Sequence, residues 1–113
     1  MESQIQLNEE RLRLRSKFAR VVPDFMDAEQ AVTGEAYKAG ALSTRTKRLM
    51  SLAVALAAGC TNCILSQANS AIDEGATTEE ILETCTVAVS MRGTTGIAES
   101  LRVVKLLEEM GKL

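Results

Sequence analysis

Two cysteines three positions apart, Cys60 and Cys63, are the residues of this chain best equipped for chemistry. They lie in the stretch Gly59-Cys60-Thr61-Asn62-Cys63, at the join between two apolar, helix-patterned runs. Positions three apart share a helix face, so both thiols would project together and be placed to close a small disulfide. Gly59 ends the preceding run, which puts Cys60 and Cys63 in the first turn of a new helix. There the unpaired backbone N–H groups and the positive end of the helix dipole favour an anionic sulfur. A thiol so placed has a lowered pKa and attacks more readily near neutral pH. The chemistry predicted is redox chemistry at sulfur.

Other assignments compete for the same residues. A zinc site needs four ligands, and the chain has no histidine and only one further thiol, Cys85. Such a site would have to be assembled across subunits, so no metal is expected. Free cysteine is among the most buried residue types, and both members of the pair could be small apolar fillers. Cys85, in mid-helix between apolar positions, is predicted to be just that. The Gly93–Gly96 stretch invites a phosphate-loop assignment, but no strand precedes it and no lysine follows at the required place. It is predicted to be a helix–helix junction.

The elements that must position the cysteines follow from composition and pattern. At 113 residues the chain makes one domain with a single modest core. Hydrophobic residues are 46% of it but aromatics only 3%, so the core is built from Ala, Leu, Val, Ile and Met, which with one proline suits packed helices. A formal charge of −2 gives no strong field for nucleic acid or an anionic membrane surface. The basic cluster from Arg11 to Arg20 has Glu9 and Glu10 beside it and no interleaved aromatic stacking partners, so it is predicted to be a solvated helix face. Neither nucleic acid nor membrane is an expected partner. The N-terminus is polar and charged without a signal-like apolar stretch, the longest apolar run is too short to cross a bilayer, and three cysteines do not make a secreted disulfide framework. A soluble, cytoplasmic protein is expected.

In chain order, residues 1–20 form an amphipathic helix carrying Leu7, Leu12, Leu14, Phe18 and Val21, although Arg11–Arg15 also alternates like a strand. Pro23 opens a second helix whose buried side is predicted to be Phe25, Met26, Ala28, Ala31, Val32 and Tyr37, closing at Gly40. Ser43 caps a third, and its run from Thr46 to Ala58 is apolar nearly all round. A helix of that kind must be buried on every side, which a small domain does poorly alone, so a subunit interface is expected. Ile64–Ile72 continues the helix begun at the cysteines, and Thr77 with Glu80 makes a capping box for the next. A last helix from about Ile97 to Met110 carries Leu101, Val104, Leu106 and Leu107. The fold class predicted is all-α, with five or six helices.

From about Gly40 to Met110 the chain resembles the carboxymuconolactone decarboxylase and alkylhydroperoxidase D-like family. The resemblance rests on Leu42-Ser43 with Thr46-Lys47 and Leu49, on Leu52-Ala53-Val54-Ala55-Leu56-Ala57-Ala58-Gly59-Cys60, and on Cys63. It continues through Ala71, Glu74-Gly75-Ala76-Thr77, Glu79-Glu80-Ile81 and the glycines Gly93 and Gly96. It implies one helical domain over 1–113, with N-terminal helices in 1–40 and a family core in 41–113. It also implies a homo-oligomer (dimer, trimer or hexamer) and no cofactor. In the redox branch the cysteine pair cycles between dithiol and disulfide, as a hydroperoxide reductase or as an adaptor passing electrons to a peroxidase, with a thiol reductant or a peroxidase as partner. The decarboxylase branch lacks the pair.

The chain departs from that branch at two places. Gln67 stands where a histidine is usual, and Arg48 where a glutamate is usual; those two residues form the family's proton relay. Glutamine is no base near neutral pH. Gln67 lies one turn beyond Cys63 and is placed to hydrogen-bond a sulfur or a water, while Arg48, if it points at the site, would stabilise a thiolate electrostatically. The resemblance makes Cys63 the peroxide-attacking sulfur and Cys60 its more exposed partner, whereas the dipole argument alone favours Cys60 as the anion. The leading expectation is a peroxide-reducing thiol–disulfide protein. The alternatives are a non-catalytic oligomeric binding or scaffold protein and, with no evident base to support it, a lactone decarboxylase-type lyase.

Overall fold

The computed structural model describes residues 1–113 as six α-helices with no strand. They are α1 (Gln4–Val21), α2 (Pro23–Tyr37), α3 (Thr44–Ala58), α4 (Thr61–Asp73), α5 (Thr78–Arg92) and α6 (Thr94–Glu109). The predicted class and the upper helix count hold. Most of the punctuation falls where side-chain chemistry places it. Ser43 Oγ accepts from Thr46 N–H at 3.0 Å, Pro23 stands in the first turn of α2, and Thr77 and Glu80 close a reciprocal capping box.

α3 is the axial element and packs against α4, α5 and α6, with α2 touching it more lightly. Leu52, Ala55 and Leu56 of α3 meet Ile64 and Ala68 of α4, Ile81, Cys85 and Ala88 of α5, and Val103, Leu106 and Leu107 of α6. This core holds no aromatic ring, and each fully buried Leu or Ile contributes roughly 1.5–3 kcal/mol relative to exposure. Cys85 belongs to it as predicted, and burial pushes its thiol pKa up.

The N-terminal pair departs from expectation. On α2 only Met26 is buried, while Phe25 is 64% and Val32 71% exposed. On α1 Leu12, Leu14, Phe18 and Val21 are all exposed, and the buried residue is Gln4. α3, apolar nearly all round, buries one face and leaves Met50 and Val54 in the open. Periodicity locates a helix's apolar stripe, but these two N-terminal helices flank the bundle, and a single chain supplies no layer to cover their outer sides. α1 is instead tied at its start, where the Glu109 carboxylate accepts from Gln4 N–H at 2.7 Å. Two further corrections concern α6. It begins at Thr94 rather than Ile97, so the junction is the single residue Gly93, and its buried stripe is Val103, Leu106 and Leu107, with Leu101 exposed.

Candidate functional site

The sharp turn between α3 and α4 places the cysteines. Gly59 takes a left-handed conformation (φ +70°, ψ +30°) that suits a residue without a side chain. Cys60 N–H returns to the Ala55 carbonyl at 3.1 Å and Gly59 N–H to that of Leu56 at 3.2 Å, the bond pair of a Schellman stop. The chain is thereby turned so abruptly that Cys60 is at once the residue after the α3 stop and the N-cap of α4. Its Sγ accepts from Cys63 N–H at 3.3 Å, the role a serine or aspartate oxygen plays at other helix starts. A disulfide joins Cys60 to Cys63, with the two Cα atoms 5.2 Å apart. Both sulfurs therefore belong to the helix start, but in different ways: Cys60 caps it and Cys63 stands in its first turn. Cys63 is exposed and Cys60 half-buried, the reverse of the order the resemblance implied.

Two cavities meet at this disulfide. The first, about 560 Å³, lies between the end of α2, α3 and the start of α4 and touches both cysteines. Met50, Val54 and Leu42 give it an apolar wall, and Gln67 and Lys47 are among its few polar groups. The second, about 460 Å³, lies between α1 and the start of α4 and touches Cys63 but not Cys60. Its lining includes Arg11 and Arg15 together with Gln67. Pattern reading placed the Arg11–Arg20 cluster on a solvated face, yet Arg11 is half-buried, and its burial together with the neighbouring Arg15 charge lowers its pKa. No local signal marks these two arginines as site residues, because α1 reaches α4 only through tertiary packing.

Arg48 and Gln67, 19 positions apart, are brought together: an Arg48 guanidinium N–H donates to Gln67 Oε1 at 3.1 Å. Arg48 also lies 3.6 Å from the centroid of the Tyr37 ring, a cation–π contact. A guanidinium has donors only, so the amide must turn its oxygen to Arg48, leaving its NH₂ to donate elsewhere. The guanidinium itself lines neither cavity beside the cysteines, so its influence on them is relayed through Gln67. No group of three or more His, Cys, Asp or Glu side chains is gathered that could hold a metal ion. No helix is long and apolar enough to cross a membrane.

A stop-and-cap turn that presents a cysteine pair from an all-helical bundle is accompanied by a family match. The profile of the carboxymuconolactone decarboxylase family matches residues 23–106, and the chain belongs to that family. An uncharacterized protein of the cox locus of Paracoccus denitrificans is 37% identical over 84 residues, covering 74% of this chain and 76% of the relative. A carboxymuconolactone decarboxylase family protein from Legionella pneumophila has the same fold, with a TM-score of 0.88 over 96% of this chain and 97% of that one, at 28% identity. A member of the family from Thermotoga maritima, described as a possible participant in an antioxidative response, superposes with a TM-score of 0.66 over 79% of this chain and 88% of its own, at 32% identity.

Proposed function

We propose that this protein is a thiol–disulfide oxidoreductase that reduces organic hydroperoxides through Cys60 and Cys63. The observation carrying the proposal is the Cys60–Cys63 disulfide at the α4 start, opening onto an apolar cavity able to take an alkyl chain. The antioxidative role suggested for the Thermotoga relative points the same way. In the reduced protein Cys63 gives its proton to water, and the exposed thiolate attacks the distal peroxide oxygen; the O–O bond breaks and the alkoxide takes a proton from water to leave as the alcohol. The resulting Cys63 sulfenic acid is then attacked by Cys60, which forms the disulfide and releases water. Two electrons pass from the dithiol to the peroxide. Arg48 and Gln67 are supporting residues, holding an amide donor beside the sulfurs where the relay would have a base. With no base there, peroxide turnover is expected to be slow.

The exposed apolar faces of α2 and α3 fit a homo-oligomer, and a thiol reductant or a peroxidase completes the cycle. The test exposes fully reduced protein to a small excess of an organic hydroperoxide, quenches it at intervals with an alkylating mass tag and weighs it intact. A Cys60–Cys63 disulfide forming much faster than oxidation of a free-thiol control supports the proposal. Both cysteines remaining alkylatable at the control rate would exclude peroxide chemistry. The second reading, a non-catalytic scaffold, would then be favoured by the Arg48–Gln67 hydrogen bond that occupies the relay positions.

A further inference from the structure

The cavity between α1 and the start of α4 is not needed to bind an alkyl hydroperoxide, and its chemistry differs from that of the apolar one. Arg11 and Arg15 line it, one helical turn apart, and no acidic residue does. Arg11 has no carboxylate within 4.0 Å; its Nε donates to Asn8 Oδ1 at 2.9 Å. The carboxylate nearest Arg15 is Glu29 of α2, at 3.6 Å. Leu14 and Phe18, both about half exposed, supply an apolar strip beside the two guanidinium groups. Cys63 lines this cleft and Cys60 does not. All of the cleft's α1 wall precedes residue 23, where the family profile's match begins, so it lies outside the segment that defines the family.

We propose that this cleft admits a small carboxylate-bearing thiol, held by Arg11 and Arg15, that reduces the Cys60–Cys63 disulfide by attack on Cys63. The proposal rests on the dithiol–disulfide reading above and names its reductant class. A guanidinium pairs with a carboxylate through parallel N–H···O bonds, and a short aliphatic linker lies along Leu14 and Phe18. The reductant thiolate bonds to Cys63 Sγ, the Cys60–Cys63 bond breaks, and Cys60 leaves as a thiolate. That leaving group is already the N-cap of α4, facing Cys63 N–H at 3.3 Å, and a stabilised thiolate leaves faster. A second reductant thiolate then attacks the reductant sulfur of the mixed disulfide and frees Cys63 as a thiolate. Both cysteine thiolates take protons from water. Two reductant thiols become one disulfide, and two electrons enter the protein.

The test uses the full chain with its disulfide formed by diamide, so that it does not depend on peroxide. Reduction by mercaptopropionate (anionic) and by mercaptoethanol (neutral) is timed by mass tagging in wild type, Arg11→Gln/Arg15→Gln and Arg11→Lys/Arg15→Lys. Comparing rate ratios cancels the intrinsic reactivities of the two thiols. The expected result is an anionic-to-neutral ratio about tenfold lower in the double Gln variant, largely kept in the Lys variant, and compressed in wild type by salt, whose Debye length is about 10 Å at 0.1 M. The same ratio in wild type and the Gln variant overturns the proposal. Should the double Gln variant fail to fold, Arg15→Gln alone, at an exposed position, must lower the ratio about threefold, and no change there is equally fatal. Failure of the peroxide reading shows separately, as a reduced protein that no hydroperoxide converts to the disulfide.

Discussion

Gly96 offers a measurable separation between what a local preference asks for and what packing allows. It lies in the first turn of α6 and is buried against α5. A Cβ added there would sit 2.8 Å from Val89 Cα and 2.9 Å from the Ala88 carbonyl oxygen, both backbone atoms that no rotamer change can move. Ordinary carbon–carbon contact is at roughly 3.5–4.0 Å, so the helices must part by about 0.7 Å or more. They are joined through Gly93 alone, at φ +62° and ψ −132°, so α6 cannot slide away without disturbing that turn. Overpacking of this kind costs roughly 1–3 kcal/mol. The better helix propensity of alanine returns up to about 1 kcal/mol, and less at a helix start. Gly96→Ala is therefore expected to lose about 1–2 kcal/mol, or about 4–12 °C in Tm for a domain near this size. Gly34, in α2 with nothing near its Cβ position, is the control: Gly34→Ala should gain about 0.5–1 kcal/mol. Urea and thermal unfolding followed by far-UV circular dichroism at matched protein concentration would measure both. If Gly96→Ala proved as stable as wild type while Gly34→Ala behaved as stated, the close α5–α6 approach would be refuted.

Two further outcomes follow from the site and its support. Gln67→His alone should not restore an effective base, because Arg48 at the adjoining position repels a protonated imidazole by about 1 kcal/mol in water-like surroundings at ~4 Å, and by more where the site is less polar. Arg48→Glu/Gln67→His replaces that repulsion by attraction and should speed hydroperoxide-driven disulfide formation by about 10²-fold, the lower end for general acid–base catalysis; equal rates in the single and double variants, read by mass tagging, would contradict this. The Ser3 hydroxyl, aided by Gln4 N–H and the Lys105 charge, holds the Glu109 carboxyl below its usual pKa. The native state then binds fewer protons than the unfolded one, so this stabilisation is present above the ordinary carboxylate range and lost as pH falls through and below it. Amide exchange in the first turn of α1 should accelerate on acidification in wild type and be fast and pH-insensitive, after correction for intrinsic rates, in Glu109→Gln.

Much of this protein was written locally. Helix class, a count of five or six and most of the caps follow from apolar spacing and from single residues whose groups satisfy helix ends: Ser43, Pro23, Thr77 with Glu80, and Gly59. The proximity of Cys60 and Cys63 is equally local, since a stop glycine followed by C-x-x-C fixes both sulfurs at one helix start. The chemistry of Arg48 and Gln67 was legible as a departure from the family pattern, although their hydrogen bond was not. The sequence by itself therefore determined the elements, most of their ends and the cysteine pair.

The tertiary structure decided which faces are covered and which distant residues share a cavity. Phe25, Val32, Leu14 and Phe18 have the spacing of buried residues and stay exposed, because burial depends on what lies opposite and a helix's own period does not encode that. Gly96 reads as a junction glycine and serves instead as the contact point of two helices. Arg11 and Arg15 read as solvated charge, and only the packing of α1 on α4 brings them to Cys63. Caps and turns are set by hydrogen bonds a few residues long, while a cavity wall is set by chain segments some fifty positions apart, as Arg11 and Cys63 are, and no local pattern carries that distance.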